Sequence, residues 1–285
     1  MIVAFTVVAT VVSFAARASR GQSRTLKSNA PVKSTTVATS ATKPNAASTS
    51  STAAAVRNQV LRSELGWTFG GKQQRGWYLY DELLSETLNT NDAPASDDFA
   101  GAVTQWQKRR GLSANGVLDE NSWMAMVSHW QGNRLKNRTS ATPDQLITAP
   151  PADFYDPSRA VELRQVERAT YEAYLKMIAA ASEDLKLSAN DRYLKIISAF
   201  RSREYQEQLR RKSPNAGSAG LAVNNSPHFT GRALDLYVGG DPVDTKDANR
   251  AIQVNTLAYK WLVRNADKFG FRPYFYEPWH WEYVK

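Results

Sequence analysis

Residues 226–238 read Ser226-Pro227-His228-Phe229-Thr230-Gly231-Arg232-Ala233-Leu234-Asp235-Leu236-Tyr237-Val238, and residues 277–283 read Glu277-Pro278-Trp279-His280-Trp281-Glu282-Tyr283. In the first stretch Leu234, Leu236 and Val238 alternate with Ala233, Asp235 and Tyr237, the period of a strand with one apolar face. Asp235 is then an acid inside an apolar strand, an unfavourable place unless something binds it. Gly231 permits the sharp bend that returns His228 to the side on which Asp235 points. The second stretch supplies His280, so two of the chain's three histidines fall in these segments. Taken singly, each segment also fits a simpler role: a hydrogen-bonded His–Asp pair, or a core histidine between Trp279 and Trp281. Together they offer two imidazoles and one carboxylate, a three-ligand set that leaves a coordination position open, as catalytic zinc sites do. Such a site needs a group to accept the proton of the attacking water. Glu277, three residues before His280, is placed for that, and Glu282, on the same strand face as His280, is its rival.

Outward from these motifs the chain divides by composition. Residues 2–16 are an apolar run, short for a membrane span and suited to a signal-peptide core. Ala16-Arg17-Ala18 offers a cleavage site, but no basic residue precedes the run, so residues 1–18 read as a signal peptide or an uncleaved membrane anchor. Residues 19–55 are rich in Ser, Thr and Ala with few large apolar groups, and read as a disordered linker. Residues 74–131 carry helical spacing in three segments: Trp77 to Leu88, Phe99 to Trp106, and a helix capped by Asp119 that holds Trp123, Met126 and Val127. His129 in the last of these reads as structural or solvated. Residues 132–158, with four prolines among polar residues, read as a second linker. Beyond it the pattern predicts a helix over 159–187, a strand over 193–200, a helix over 203–212, a polar loop to Pro227, a strand over 232–238, a helix over 246–268 and one or two strands over 271–284. The fold class expected is α+β.

Charge and cysteine usage narrow the functions. Residues 1–60 hold seven basic side chains and no acid, so most of the net charge of +9 lies in the N-terminal tail. The remaining chain is nearly neutral, which argues against a nucleic-acid-binding face. With no cysteine there are no disulfides, no thiolate ligands and no cysteine nucleophile.

The pair of motifs, S-x-H-x-x-G-x-A-x-D followed by E-P-W-H, resembles the zinc D-alanyl-D-alanine carboxypeptidases of the VanY type and their endopeptidase relatives. The resemblance implies a Hedgehog/DD-peptidase-like α+β domain over 159–285, one Zn2+ per chain on His228, Asp235 and His280, and Glu277 as the catalytic base. Arg201, in Ser198-Ala199-Phe200-Arg201-Ser202, carries over as the residue that contacts substrate or stabilises the developing oxyanion, and Ser226 as a residue near the substrate. The string FAGAVTQWQKRRGLSANGVLDENSW at 99–123 resembles the peptidoglycan-binding-like module, a small three-helix bundle. It departs from that module in the residues before Trp123. The expectation is therefore an exported hydrolase of peptidoglycan stem peptides, in the periplasm, cell envelope or outside the cell, with residues 2–16 offering membrane attachment. D-alanyl-D-alanine carboxypeptidase activity, endopeptidase activity at L-Ala-D-Glu or at crosslinks, and wall binding on a degenerate peptidase fold are the classes in play.

Overall fold

The computed structural model describes residues 46–188, 190–212 and 226–285. The apolar run at 2–16, the cleavage site and most of the Gly/Ser/Asn loop before Ser226 lie outside these residues. Helix α1 (Ala46–Glu64) comes first, which corrects the expectation of a disordered linker through residue 55. The segment has few large apolar groups, but its small ones suffice: Ala54 and Ala55 are buried and meet Ala100 directly. Alanine has the strongest intrinsic helix preference and allows two backbones to approach closely. Asn58 is fully buried in the same helix. Its Nδ2 donates to the carbonyl of Gly116 at 2.8 Å, and its Oδ1 accepts from the N–H of Leu118 at 2.7 Å.

A hairpin of β1 (Gly66–Phe69) and β2 (Lys72–Arg75) follows, in a segment to which the sequence assigned no element. Gly70 and Gly71, with φ of 56° and 76°, form its two-residue turn. Three helices then appear at the expected places: α2 (Asp81–Leu88), α3 (Asp97–Arg109) and α4 (Glu120–Gly132). As expected, Asp119 caps α4, accepting the N–H of Ser122 at 2.9 Å. Buried Gln107 ties α3 to the following loop, accepting from the N–H of Gly116 at 2.9 Å and donating to Ser122 Oγ at 2.9 Å.

Residues 133–167 depart most from expectation. The segment read as a linker is an ordered strap in which β3 (Leu146–Thr148) pairs antiparallel with β4 (Gln165–Glu167). Its prolines open 3-10 turns at Pro143–Gln145 and Pro151–Asp153, while Leu135, Ala149 and Phe154 are buried. Proline here marks turns, and these apolar groups hold the strap down. The helix expected over 159–187 begins only at α5 (Arg168–Ser182), where Glu167 accepts the N–H of Thr170 at 2.7 Å as the cap. A four-residue helix, α6 (Leu185–Ser188), completes that region.

The remaining elements are β5 (Ile196–Ser198), α7 (Arg203–Lys212), β6 (Ala233–Leu236), α8 (Asp247–Val254), α9 (Leu257–Asn265), β7 (Phe271–Pro273) and β8 (His280–Tyr283). The helix expected over 246–268 breaks at Asn255, and Thr256 caps α9 by accepting from the N–H of Tyr259 at 3.2 Å. The four strands form one antiparallel sheet in the order β5-β6-β8-β7. Leu234, Leu236 and Trp281 enter a hydrophobic core that also contains Trp67, Trp77, Trp123 and Trp130. Phe275 links the two parts, with ring centroids 4.8 Å from Phe69, 5.6 Å from Tyr80 and 5.9 Å from Trp130. The helical segment and the sheet therefore share one core, and the α+β class is as expected. Among the described residues no helix is long and apolar enough to cross a membrane.

Asn58→Ala is expected to lower unfolding free energy by about 2–4 kcal/mol, because it leaves a buried carbonyl and a buried N–H without partners. Urea denaturation of the full chain measures this, and a loss under about 0.5 kcal/mol, the range of ordinary surface substitutions, would show that α1 does not anchor the loop before α4.

Candidate metal centre

The sheet register assembles the site. Asp235 on β6 lies opposite Ser198 on β5 and His280 on β8. Because Leu234 and Leu236 point into the core, Asp235 and His280 share the other face, on which Ala233 and Glu282 form the next opposed pair. His228 reaches this face from the 3-10 turn Pro227–Thr230, which ends at Gly231 with φ of 68°. A Cβ at Gly231 would stand 2.9 Å from the backbone nitrogen of Glu167, so both the conformation and the contact require glycine there. Ser226 is buried and caps the turn, its Oγ accepting the N–H of His228 at 3.4 Å.

His228, Asp235 and His280 are all buried, and one ligand atom from each lies within 4.8 Å of the others. His280 Nδ1 is 2.9 Å and His228 Nε2 is 3.3 Å from the same oxygen, Oδ1 of Asp235. The two rings stand edge to face, 5.0 Å apart at 71°. Each ring's outer nitrogen is engaged. His228 Nδ1 donates to the carbonyl of Ala199 at 2.6 Å, and His280 Nε2 donates to Glu282 Oε1 at 3.3 Å. With its proton fixed on Nδ1, neutral His228 turns the lone pair of Nε2 toward a carboxylate oxygen. Two acceptors facing each other in a dry site repel unless a cation lies between them. Outer hydrogen bonds that fix ring orientation and tautomer are the usual support of ligating histidines. The residues thus fit a metal ion, with two nitrogens and one oxygen.

The electrostatics agree. Burial and the nearby Arg201 charge lower His228 to about 4, keeping it neutral. Burial alone would raise Asp235, but the facing His228, the Arg201 charge and the bond from His280 hold it well below the usual carboxylate range. Burial opposes charge on His280 too, yet its bonds to Asp235 and Glu282 raise it to about 9. Arg201 pairs with Oδ2 of Asp235, and its Nε donates to Ser198 Oγ at 2.9 Å.

Glu277 and Glu282, the two candidates for proton transfer, have opposite surroundings. Glu277 sits where the chain turns, its N–H donating to the carbonyl of Tyr274 at 3.1 Å and its own carbonyl accepting from His280 at 2.9 Å. Burial pushes its carboxyl up to about 7. Glu282 is fully buried and accepts from Arg134, from the N–H of Leu135 at 2.8 Å and from His280. Burial opposes its charge, but the His280 and Arg134 partners hold it at about 2. Oε1 takes its bonds from Arg134 and His280 and Oε2 from Leu135, an arrangement that suits a fixed support for His280 better than a proton acceptor. Sequence reasoning missed Arg134, Leu135 and the Ala199 carbonyl. Only Ala199 had a signal, since it lies within the segment that pointed to Arg201. His129 sits apart on α4, beside Arg110.

Residues 163–285 match the family model for D-alanyl-D-alanine carboxypeptidase, VanY. Among solved structures, one reported to reveal the molecular basis of peptidoglycan recognition, that of the LdcB LD-carboxypeptidase, is 23% identical, over 53% of this chain and 72% of that chain, with a TM-score of 0.37. No curated protein matches the chain.

His228→Ala, Asp235→Ala and His280→Ala are each expected to abolish stoichiometric binding of a divalent metal, while His129→Ala keeps it. Metal must displace the His280 proton, so affinity should rise with pH, by roughly tenfold per unit below the His280 pKa, which stands at about 9. Calorimetry in buffers of different ionisation heat reads the released proton. Metal retained by His228→Ala would contradict this ligand set, and no proton release at neutral pH would contradict a protonated His280 in the metal-free site.

Proposed function

We propose that this chain, whose residues 163–285 match the VanY family model, is a zinc-dependent peptidase of peptidoglycan stem peptides that removes a terminal D-alanine. The observation that carries the reading is the buried His228–Asp235–His280 group with Glu277 close by in sequence, its carboxyl at about 7. Two imidazoles and a carboxylate with an open position suit zinc. Bound there, zinc supplies a Lewis acid for the scissile carbonyl and makes the attacking water more acidic.

The chain's own residues supply the rest. Glu277 accepts the proton of the attacking water and returns it to the leaving amine. A carboxyl titrating near neutrality can do both within one cycle. Arg201, held at Nε by Ser198, presents a charged guanidinium beside the metal ligands. It binds the developing oxyanion or the substrate's terminal carboxylate, for which a planar fork is well suited. Ser226 contributes through the turn that carries His228, and its resemblance-based role at the substrate rests on that proximity. The helices within residues 74–131, similar in sequence to a peptidoglycan-binding-like three-helix bundle, would keep the enzyme near the wall. An extracytoplasmic location, with residues 1–18 as leader or anchor, fits the substrate. Endopeptidase action on the same stems is the second reading, since the relatives that the motifs resemble include endopeptidases.

Glu277→Gln is expected to retain zinc while kcat falls about a hundred- to ten-thousandfold. Arg201→Lys keeps the charge but loses the fork, and should lower kcat/KM with zinc still bound. Mass spectrometry of digested pentapeptide stems reads the reaction. Loss of one alanine, blocked by chelators and unaffected by β-lactams, is the expected result. Cleavage only between L-alanine and glutamate, or only at crosslinks, would transfer the assignment to the endopeptidase.

A further inference from the structure

We infer that Arg134, from the helical part of the molecule, is a positioning residue for the metal centre, acting through Glu282 on His280. The inference rests on the reading of His280 as a metal ligand. Arg134 and Leu135 follow the end of α4 directly, since Asn133 is its C-cap. Both converge on one carboxylate, 147 and 148 residues further along the chain. Arg134 Nε donates to Oε1 of Glu282 at 3.0 Å and its Nη2 donates to the same oxygen. The N–H of Leu135 donates to Oε2 at 2.8 Å. The oxygen that Arg134 grips is the one that accepts from His280 Nε2 at 3.3 Å. Arg134 is itself fixed, stacked 3.9 Å over the ring of Tyr274 and donating from Nη1 to Gln131 at 3.2 Å.

The physical need for Arg134 follows from burial. Glu282 is 0% exposed, and a buried carboxylate that loses its cationic partner is no longer held where it stands. Its displacement removes the acceptor that fixes His280 through Nε2. Without that acceptor the ring is free to turn or to shift its proton to Nδ1, the nitrogen that faces Asp235, and its basicity toward a metal falls. Asp235 and His228 are held by other groups, Arg201 and the Ala199 carbonyl. His280 alone of the three is held from the helical part. The helices thus complete the site they adjoin, in addition to any role in binding the wall.

The test is zinc affinity of the full chain, measured by competition with a chromophoric chelator, which needs no substrate. Arg134→Met is expected to weaken zinc binding about 10- to 100-fold, and Arg134→Lys by less. Because Arg134 acts through Glu282, the double variant Arg134→Met/Glu282→Gln should bind zinc no more weakly than Glu282→Gln alone. Arg264→Met is the control. It breaks an ion pair between α9 and α2, Arg264 to Glu82 at 2.6 Å, without touching Glu282, and should leave zinc affinity unchanged. Zinc affinity of Arg134→Met within about twofold of the native chain, additive losses in the double variant, or an equal loss in Arg264→Met would each overturn the inference while leaving the zinc site intact. Should Arg134→Met fail to fold, Arg134→Lys decides by the same criterion. A native chain that binds no zinc would instead remove the metal reading itself.

Discussion

A carboxylate in the middle of a sheet is the constraint on which the site depends. Asp235 is 2% exposed on a strand whose neighbours, Leu234 and Leu236, are wholly buried. Removing such a charge from water costs several kcal/mol unless other groups replace the hydration. The antiparallel register supplies two of them, placing Ser198 on one side, with Arg201 bonded to it, and His280 on the other. The Gly231 turn supplies the third, His228. Each of these groups then needs support of its own: the Ala199 carbonyl for His228, Glu282 for His280, and, from far earlier in the sequence, Arg134 for Glu282. The consequence is a chain of hydrogen bonds running from the centre of the sheet to the end of α4.

The same dependence appears in the apolar packing. Tyr274, Phe275 and Tyr276 immediately precede Glu277, and they pack against Phe69 of the N-terminal hairpin. Arg250, almost completely buried, donates to the Tyr80 hydroxyl and lies 4.3 Å over the Tyr276 ring. Aromatic side chains bury about 150–250 Å² each, so this cluster is a large part of what holds the segment carrying Glu277 and His280. A helical part joined only by a flexible linker would leave that segment without its contacts to Phe69, Tyr80 and Trp130.

This organisation explains what the sequence could and could not disclose. His228, Asp235 and His280 were legible because each breaks a local pattern: an acid in an apolar strand, a histidine just before a glycine turn, a histidine between tryptophans. Capped helices were legible for the same reason, as with Asp119 at α4. The first part of the first helix was not, because its packing rests on Ala54 and Ala55, whose side chains are too small to register as an apolar face. The strap over 133–167 was not, because its prolines suit an ordered series of turns as well as a linker, and the pairing of β3 with β4 shows only when both are seen. Arg134 gave no signal at all. A lone arginine after a helix acquires meaning only from a glutamate that tertiary structure brings to it.

Glu277 and Glu282 show how far residue type is from role. They lie five positions apart on one segment, both almost inaccessible, and the sequence offered either as the proton acceptor. Burial raises both, so burial cannot separate them. What differs is the company. Glu282 has a guanidinium, a backbone N–H and an imidazole on its two oxygens, and is held at about 2. For Glu277 burial, with the Asp235 charge, prevails over the charges of His280, Arg201 and Arg134, and leaves it at about 7. Two carboxyls driven apart in this way divide the work between them. Glu282, held ionised by its partners, is a fixed acceptor for His280, and Glu277, raised to about 7, is the carboxyl able to exchange a proton near neutrality.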